Sequence, residues 1–241
     1  MIYFEQLLIG TNPKTLSGGV RPCPRCLRAT SQDSASAGPV SLSALETQIQ
    51  KLSTKKASVM LRGFEPFQHP ELVGIVQTLA SSQIRRLGMR TDAAALANPD
   101  DARGCIDFGV RVFEIPFLPR EMDALSQAAP LEASLAGIAG IRNAAAVLDA
   151  KVFVCADIYL CKHTAPYFMD TVQVAIAAGV DAIRLSIWQD TEPVSRGSLP
   201  VEPSVLNAAH AAATQSSIVF FGDGCEEHLA GATLYEVGTA D

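Results

Sequence analysis

Two pairs of metal-type ligands and one acidic turn are the places where this chain of 241 residues could do chemistry. Cys23-Pro24-Arg25-Cys26 sets two thiols three positions apart, a spacing that lets one loop present two thiolates to a single soft metal or cluster. Cys225 and His228 repeat that spacing in the segment Gly222-Asp-Gly-Cys-Glu-Glu-His. If the four converge, they make a tetrahedral zinc set at least as well as part of an iron-sulfur site. Taken separately, they are metal-free surface thiols and a coincidental Cys-x2-His. Cys161 and His163 form a more distant pair. The acidic turn is Arg62-Gly63-Phe64-Glu65-Pro66-Phe67-Gln68-His69-Pro70-Glu71-Leu72. Glu65 there either faces a ligand or caps the helix starting near Pro70, where the helix dipole favours a carboxylate. His69 reads as a helix-start residue rather than a base. Glu65, Asp92, Glu114 and Asp157 fall at or near expected strand ends, where paired carboxylates can do acid-base work. Trp188, also at a strand end, is core or a substrate wall.

These residues need a scaffold, and the pattern supplies alternating strands and helices. Tyr3 to Ile9 reads as a strand. Gly10 to Pro39 is a Gly/Pro/Ser-rich loop carrying the first Cys pair, and a loop of that length is uncommon unless functional. Ser43-Ala-Leu-Glu46 has capping-box spacing, and Leu42, Leu45, Ile49 and Leu52 keep helical spacing to about Lys55. Further strands are expected over 57–61, 84–89, 110–116, 151–158, 182–188 and 217–221. Helices are expected over about 70–80, 131–148, 166–178 and 203–213, with a helical or irregular stretch through 96–105. Strands too apolar to alternate indicate parallel strands buried on both faces. Six or seven such units suggest a single α/β domain over residues 1–241, a partial TIM-like barrel with a possible short seventh strand and a C-terminal extension over 189–241. A doubly wound open sheet is the competing arrangement. Either one puts ligands at the carboxyl ends of the strands.

Composition narrows the function classes. The hydrophobic share of 48% is enough for a full core. A formal net charge of −6 and a pI near 5.2, with no Lys/Arg run longer than Lys55-Lys56 or Arg85-Arg86, argue against nucleic acid as a partner. The start Met-Ile-Tyr-Phe-Glu-Gln has no basic region leading into an apolar stretch, and nowhere do eighteen apolar residues run together; a cytoplasmic protein without a membrane span is expected. Six cysteines in that setting suit metal ligation or reduced core thiols, with Cys105 and Cys155 as buried ones. There is no Gly-x-Gly-x-x-Gly, no phosphate loop and no Gly-x-Ser-x-Gly elbow.

Residues from about Leu7 to Trp188 resemble the radical S-adenosylmethionine (SAM) enzymes. Gly63-Phe64-Glu65-Pro66 matches three of four positions of that family's Gly-Gly-Glu-Pro turn after the second strand, and Phe67 to Leu72 continues in the same manner. Val180-Asp-Ala-Ile-Arg-Leu-Ser186 is similar to the family's sixth strand. The resemblance implies a partial (β/α)6 barrel, a four-iron four-sulfur cluster on a Cys-x3-Cys-x2-Cys motif, and SAM on the fourth iron. It implies Cys23 and Cys26 as metal ligands, Glu65 and Pro66 with the Gly63 and Phe64 backbone near the methionyl group, Arg25 near the adenine, and Glu114, Asp157 and Ser186 in the ribose and substrate region. Three departures fall on the cofactor site. Gly19 stands where the first cysteine is expected, Arg25 where an aromatic residue is usual, and Phe64 where the family has glycine.

Two classes of function follow. An enzyme would use an electron from the cluster to cleave SAM to a 5'-deoxyadenosyl radical that takes a hydrogen from a small-molecule or peptide substrate, a third ligand coming from Cys225 or His228. A cluster-free or zinc-binding relative would bind SAM, a peptide or a partner enzyme without catalysis.

Overall fold

The computed structural model describes residues 4–11, 38–120, 130–187 and 201–222. Along the chain come β1 (Phe4–Leu8), β2 (Gly10–Thr11), β3 (Gly38–Pro39), α1 (Leu42–Thr54), β4 (Ser58–Arg62), α2 (Leu72–Ala80), β5 (Arg86–Arg90) and α3 (Pro99–Asp107). They are followed by β6 (Val110–Phe117), α4 (Leu131–Val147), β7 (Phe153–Leu160), α5 (Phe168–Ala177), β8 (Ala182–Ile187), α6 (Pro203–Gln215) and β9 (Val219–Gly222). Short 3-10 turns cover Pro66–Gln68, Ala94–Ala97 and Ala165–Tyr167.

Seven strands pair in the order β1-β4-β5-β6-β7-β8-β9, each parallel to the next. Spatial order follows chain order without a reversal. A doubly wound sheet must reverse at its switch point, so that alternative is excluded. Stepwise winding in one direction is the arrangement of a TIM-like barrel, here left open: among the described residues β1 and β9 pair with one neighbour each.

The strands are parallel and largely buried on both faces, as expected, but the two faces differ in chemistry. Val59 and Leu61, Leu87 and Met89, Phe113 and Ile115, Val154, Ala156 and Ile158, then Ile183 and Leu185 share one core with helical residues such as Leu45, Ile75, Ile141, Val172 and Leu206. The residues between them, Arg62, Arg90, Glu114, Asp157, Tyr159, Arg184 and Ser186, are joined to one another on the opposite face. Side chains on a strand point alternately to its two faces, so the outer face packs the helix layer and the inner one is polar. The polar members are themselves largely buried and sit among apolar neighbours in sequence, which makes the strands read as apolar runs. A barrel interior is ordinarily filled by branched aliphatic residues. This one holds an ionic cluster beside apolar members such as Met60 and Val112, which meet at Gly88.

Element boundaries differ from the pattern by one or two residues at most ends, as capping explains for α1. Its N-cap is Ser41, whose hydroxyl accepts from the Ala44 amide at 3.4 Å, rather than Ser43. Gly179, with φ of +70°, follows α5 as expected.

Candidate functional site

β4 ends at Arg62, and the chain turns at once through Gly63, which has a φ of +91°. A Cβ at this position would lie 2.3 Å from the Gly10 carbonyl oxygen, so both the dihedral and the close approach require glycine. The approach arises because β1 is extended past its last rung: the Ile9 amide donates to the Arg62 carbonyl at 2.9 Å, and the Val40 amide donates to the Ile9 carbonyl at 2.9 Å. β2 and β3 then pair antiparallel, Gly10 with Pro39 and Thr11 with Gly38. The two stems of the cysteine-bearing segment are therefore clipped together against the Gly63 turn. Two side chains reinforce the clip. His69 Nε2 donates to the Val40 carbonyl at 3.0 Å while its Nδ1 accepts from the Glu71 amide, and the Glu71 carboxylate accepts from the Leu42 amide at 3.0 Å. His69 is thus a structural strut, with Phe64 edge-on to its ring at 5.9 Å.

Glu65 is 2% exposed and leaves the turn toward β5. Its Oε1 accepts from Thr91 Oγ1 at 2.6 Å and its Oε2 from the Asp92 amide at 3.0 Å. Thr91 Oγ1 in turn accepts from the Ala93 amide at 3.0 Å, at a residue held at φ +64°. The helix-cap alternative for Glu65 is set aside: neither the Pro66–Gln68 turn nor α2 receives a side-chain cap. The Thr91 hydroxyl and the Asp92 amide fix the orientation of the carboxylate.

Deeper along the inner face lies a compact ionic cluster. Glu114 is shared by Arg62, Arg90 and, at 3.5 Å, Arg184. Arg90 also meets Asp157 at 2.7 Å and donates to the Tyr159 hydroxyl, its guanidinium 5.7 Å from that ring's centroid. Ser186 Oγ donates to the other Asp157 oxygen at 2.6 Å. Burial disfavours the charged form of Glu114, yet Arg90, Arg62 and Arg184 outweigh it and hold the carboxyl below the usual glutamate range. Burial likewise disfavours the charged form of Arg90, but Tyr159, Asp157 and Glu114 keep it firmly protonated. Tyr159 and Cys155 are pushed upward, chiefly by burial, and stay neutral.

Of the residues singled out from the sequence, the turn Gly63 to Pro66 stands at the carboxyl end of β4, and Glu114, Asp157 and Ser186 meet within the inner-face cluster. Glu114 and Asp157 are joined through Arg90, and Ser186 bonds Asp157 directly, so they do not form an open acid-base pair. Cys23, Arg25, Cys26, Trp188, Cys225 and His228 lie outside the described residues. Among the described residues no group of three or more His, Cys, Asp or Glu is placed to hold a metal; Cys105, Cys155 and Cys161 are buried, and Cys161 Sγ accepts from Thr164 Oγ1 at 3.7 Å. Burial pushes the Cys105 thiol up to about 12. The sequence reading missed Arg62, Arg90, Arg184, Tyr159 and Thr91. The available signal was a charged residue at an even offset from other polar residues in an apolar strand, as in Arg184-Leu-Ser186.

No family model and no curated protein matches the sequence. Solved structures do. Streptococcus suis SuiB aligns over 100% of this chain and 53% of its own, with a TM-score of 0.59 at 10% identity. Native anSMEcpe with bound AdoMet and Cp18Cys peptide aligns over 90% of this chain and 62% of its own, with a TM-score of 0.60 at 12% identity. The radical S-adenosylmethionine methyltransferase TsrM from Kitasatospora setae, with cobalamin and a [4Fe-4S] cluster bound, aligns over 76% of this chain and 36% of its own, with a TM-score of 0.54 at 10% identity. The chain spans about half the length of SuiB. Sequential parallel strands, a Gly-Phe-Glu-Pro turn closing the second of them, and these superpositions lead to one conclusion: the chain has the fold of the radical SAM enzymes.

Proposed function

We propose that this protein binds SAM at the carboxyl end of its strands, as a radical SAM superfamily member with a diverged cofactor site. The observation that carries the reading is Glu65: a buried carboxylate, aimed by Thr91 and the Asp92 amide, at the turn against which the cysteine-bearing segment is clipped. In this reading Glu65 receives the methionyl ammonium, and the Gly63 backbone lets the ligand approach. Asp157 and Ser186 border the ribose and substrate region, and the Arg90 network holds them still. Cys23 and Cys26 hold the metal with a ligand borrowed from Cys225 or His228. A cluster held there would supply one electron for reductive cleavage of SAM. The protein's own part is to orient the ligand and keep water out. Peptide-bound neighbours such as SuiB with precursor peptide SuiA support a peptide or small-molecule substrate.

A second reading is a cluster-free or zinc-binding relative that binds SAM, a peptide or a partner enzyme without turnover. Gly19 in place of a cysteine favours it, since two thiolates leave two irons of a cluster undercoordinated. Anaerobic reconstitution with iron and sulfide, followed by metal counting and assay for 5'-deoxyadenosine in the presence of SAM and a strong reductant, separates the two. Iron with product supports the enzyme; zinc alone supports the second reading. Calorimetry with SAM tests the shared part. Glu65→Gln should weaken binding by roughly tenfold to a hundredfold, the scale of one charge-assisted hydrogen bond. Equal affinity in the two proteins would remove Glu65 from the site.

A further inference from the structure

We infer that His69 is a positioning residue of the proposed SAM site, tying the Glu65 turn to the stems of the cysteine-bearing segment only while its imidazole is neutral. The geometry dictates the tautomer. A carbonyl oxygen only accepts, so Nε2, 3.0 Å from the Val40 oxygen, carries the ring proton. A backbone amide only donates, so Nδ1, 3.1 Å from the Glu71 nitrogen, is unprotonated. A second proton would set two N–H groups against each other at Nδ1. His69 is buried, so water has little room to separate them, and protonation costs the strut its Glu71 end. Histidine is the residue type whose charge ordinarily changes between pH 5 and pH 8. The stretches packed beside it, 9–11 and 38–45, contain no titratable side chain. Within its own turn, Glu65 is engaged by Thr91 and the Asp92 amide, Glu71 by the Leu42 amide and Arg62 by Glu114. What the strut holds is a closed circuit. The Val40 amide bonds the Ile9 carbonyl, the Ile9 amide bonds the Arg62 carbonyl, and Gly63 follows against Gly10. The His69 amide bonds the Pro66 carbonyl, one residue past Glu65, so the ring closes the circuit from the far end of the turn. Without the ring, Thr91 and Asp92 hold the carboxylate while the backbone that carries it loses its brace on the Val40 side.

This role rests on the proposed function, and its test keeps the two apart. SAM affinity of the full chain is measured by calorimetry from pH 8 to pH 5 in wild type, His69→Leu and His69→Gln. Over the same range, protection of the Val40 and Leu42 amides is followed by hydrogen exchange, and the His69 tautomer is read from long-range 15N–1H spectra. At pH 8 the expected results are the Nε2–H tautomer, a roughly tenfold weaker affinity in His69→Leu, and recovery of most of that loss in His69→Gln, whose amide still donates to Val40. Glutamine does not titrate, so at pH 5 the order should invert and His69→Gln should bind SAM more tightly than wild type. A purely structural histidine would not produce that crossing. If His69→Leu does not fold, the comparison of wild type with His69→Gln carries the test alone. The opposite tautomer, parallel pH profiles in wild type and His69→Gln, or wild-type affinity in His69→Leu overturns the role. If wild type binds no SAM, the proposed function ends, and the exchange data still decide the strut. Protection at Val40 and Leu42 that falls on acidification in wild type but not in His69→Gln upholds the proton-sensitive tie. SAM binding with protection equal in the two proteins at every pH ends the tie and leaves the proposed function standing.

Discussion

Thr91 is the residue on which Glu65 depends, and it was invisible as a site residue in the sequence. It is fully buried, donates to Glu65 and accepts from Ala93, so one hydroxyl fixes both the carboxylate and the left-handed backbone beside it. Replacing it by the isosteric valine leaves a buried carboxylate oxygen short of a donor. Thr91→Val should therefore cost about 1–3 kcal/mol in urea unfolding and weaken SAM binding, while Thr91→Ser restores both. A Thr91→Val protein with unchanged SAM affinity would make the hydroxyl purely structural. Glu65 itself was legible because its turn combines a strand end, a glycine and a proline in one short string. The arginines were not, because a guanidinium buried by pairing looks the same in sequence as one on the surface.

At the level of elements, the close packing of α4 on the Ala94–Ala97 turn sets the wall behind Thr91. A Cβ on Gly137 would come within 1.9 Å of the Ala93 carbonyl oxygen, and one on Gly140 within 1.9 Å of the Leu96 carbonyl oxygen. In an exposed helix, glycine to alanine gains roughly 1 kcal/mol. Here the sign reverses: Gly137→Ala should lower unfolding free energy by more than about 1 kcal/mol, measured by denaturant melts, because the helix must move off its seat. Stabilisation by this substitution would contradict the packing described. The helices and strands were readable because their outer faces keep regular apolar spacing, as in Leu45, Ile49 and Leu52. Their inner faces were misread: polar side chains neutralised by partners on neighbouring strands give no local cue, since the partners come from 24 to 70 residues away.

For the molecule as a whole, the sequential order of parallel strands was legible only as a class, because periodicity carries no information about closure or reversal. What the whole adds is an interior whose stability is electrostatic as well as apolar. Glu114 has its carboxyl held below the ordinary value of about 4.3. A depressed folded value means that its contribution is complete above about pH 4.3 and fades as pH falls through the folded value. Denaturation between pH 6 and pH 3 should therefore show a steeper loss in wild type than in Glu114→Gln, which should already be about 3–5 kcal/mol weaker at neutral pH because buried arginines lose their shared partner. Parallel slopes would refute the assignment. The two-faced strands also dictate where this protein tolerates changes in length. One residue inserted in β6 ahead of Glu114 would swing the carboxylate into the helix layer and bring Ile115 to the centre, exchanging hydrocarbon for charge on both sides at once. Beyond Phe117 or Leu160, where the pleat has ended, added residues leave that parity untouched. New specificities can therefore be grown from the strand ends without disturbing the ionic centre.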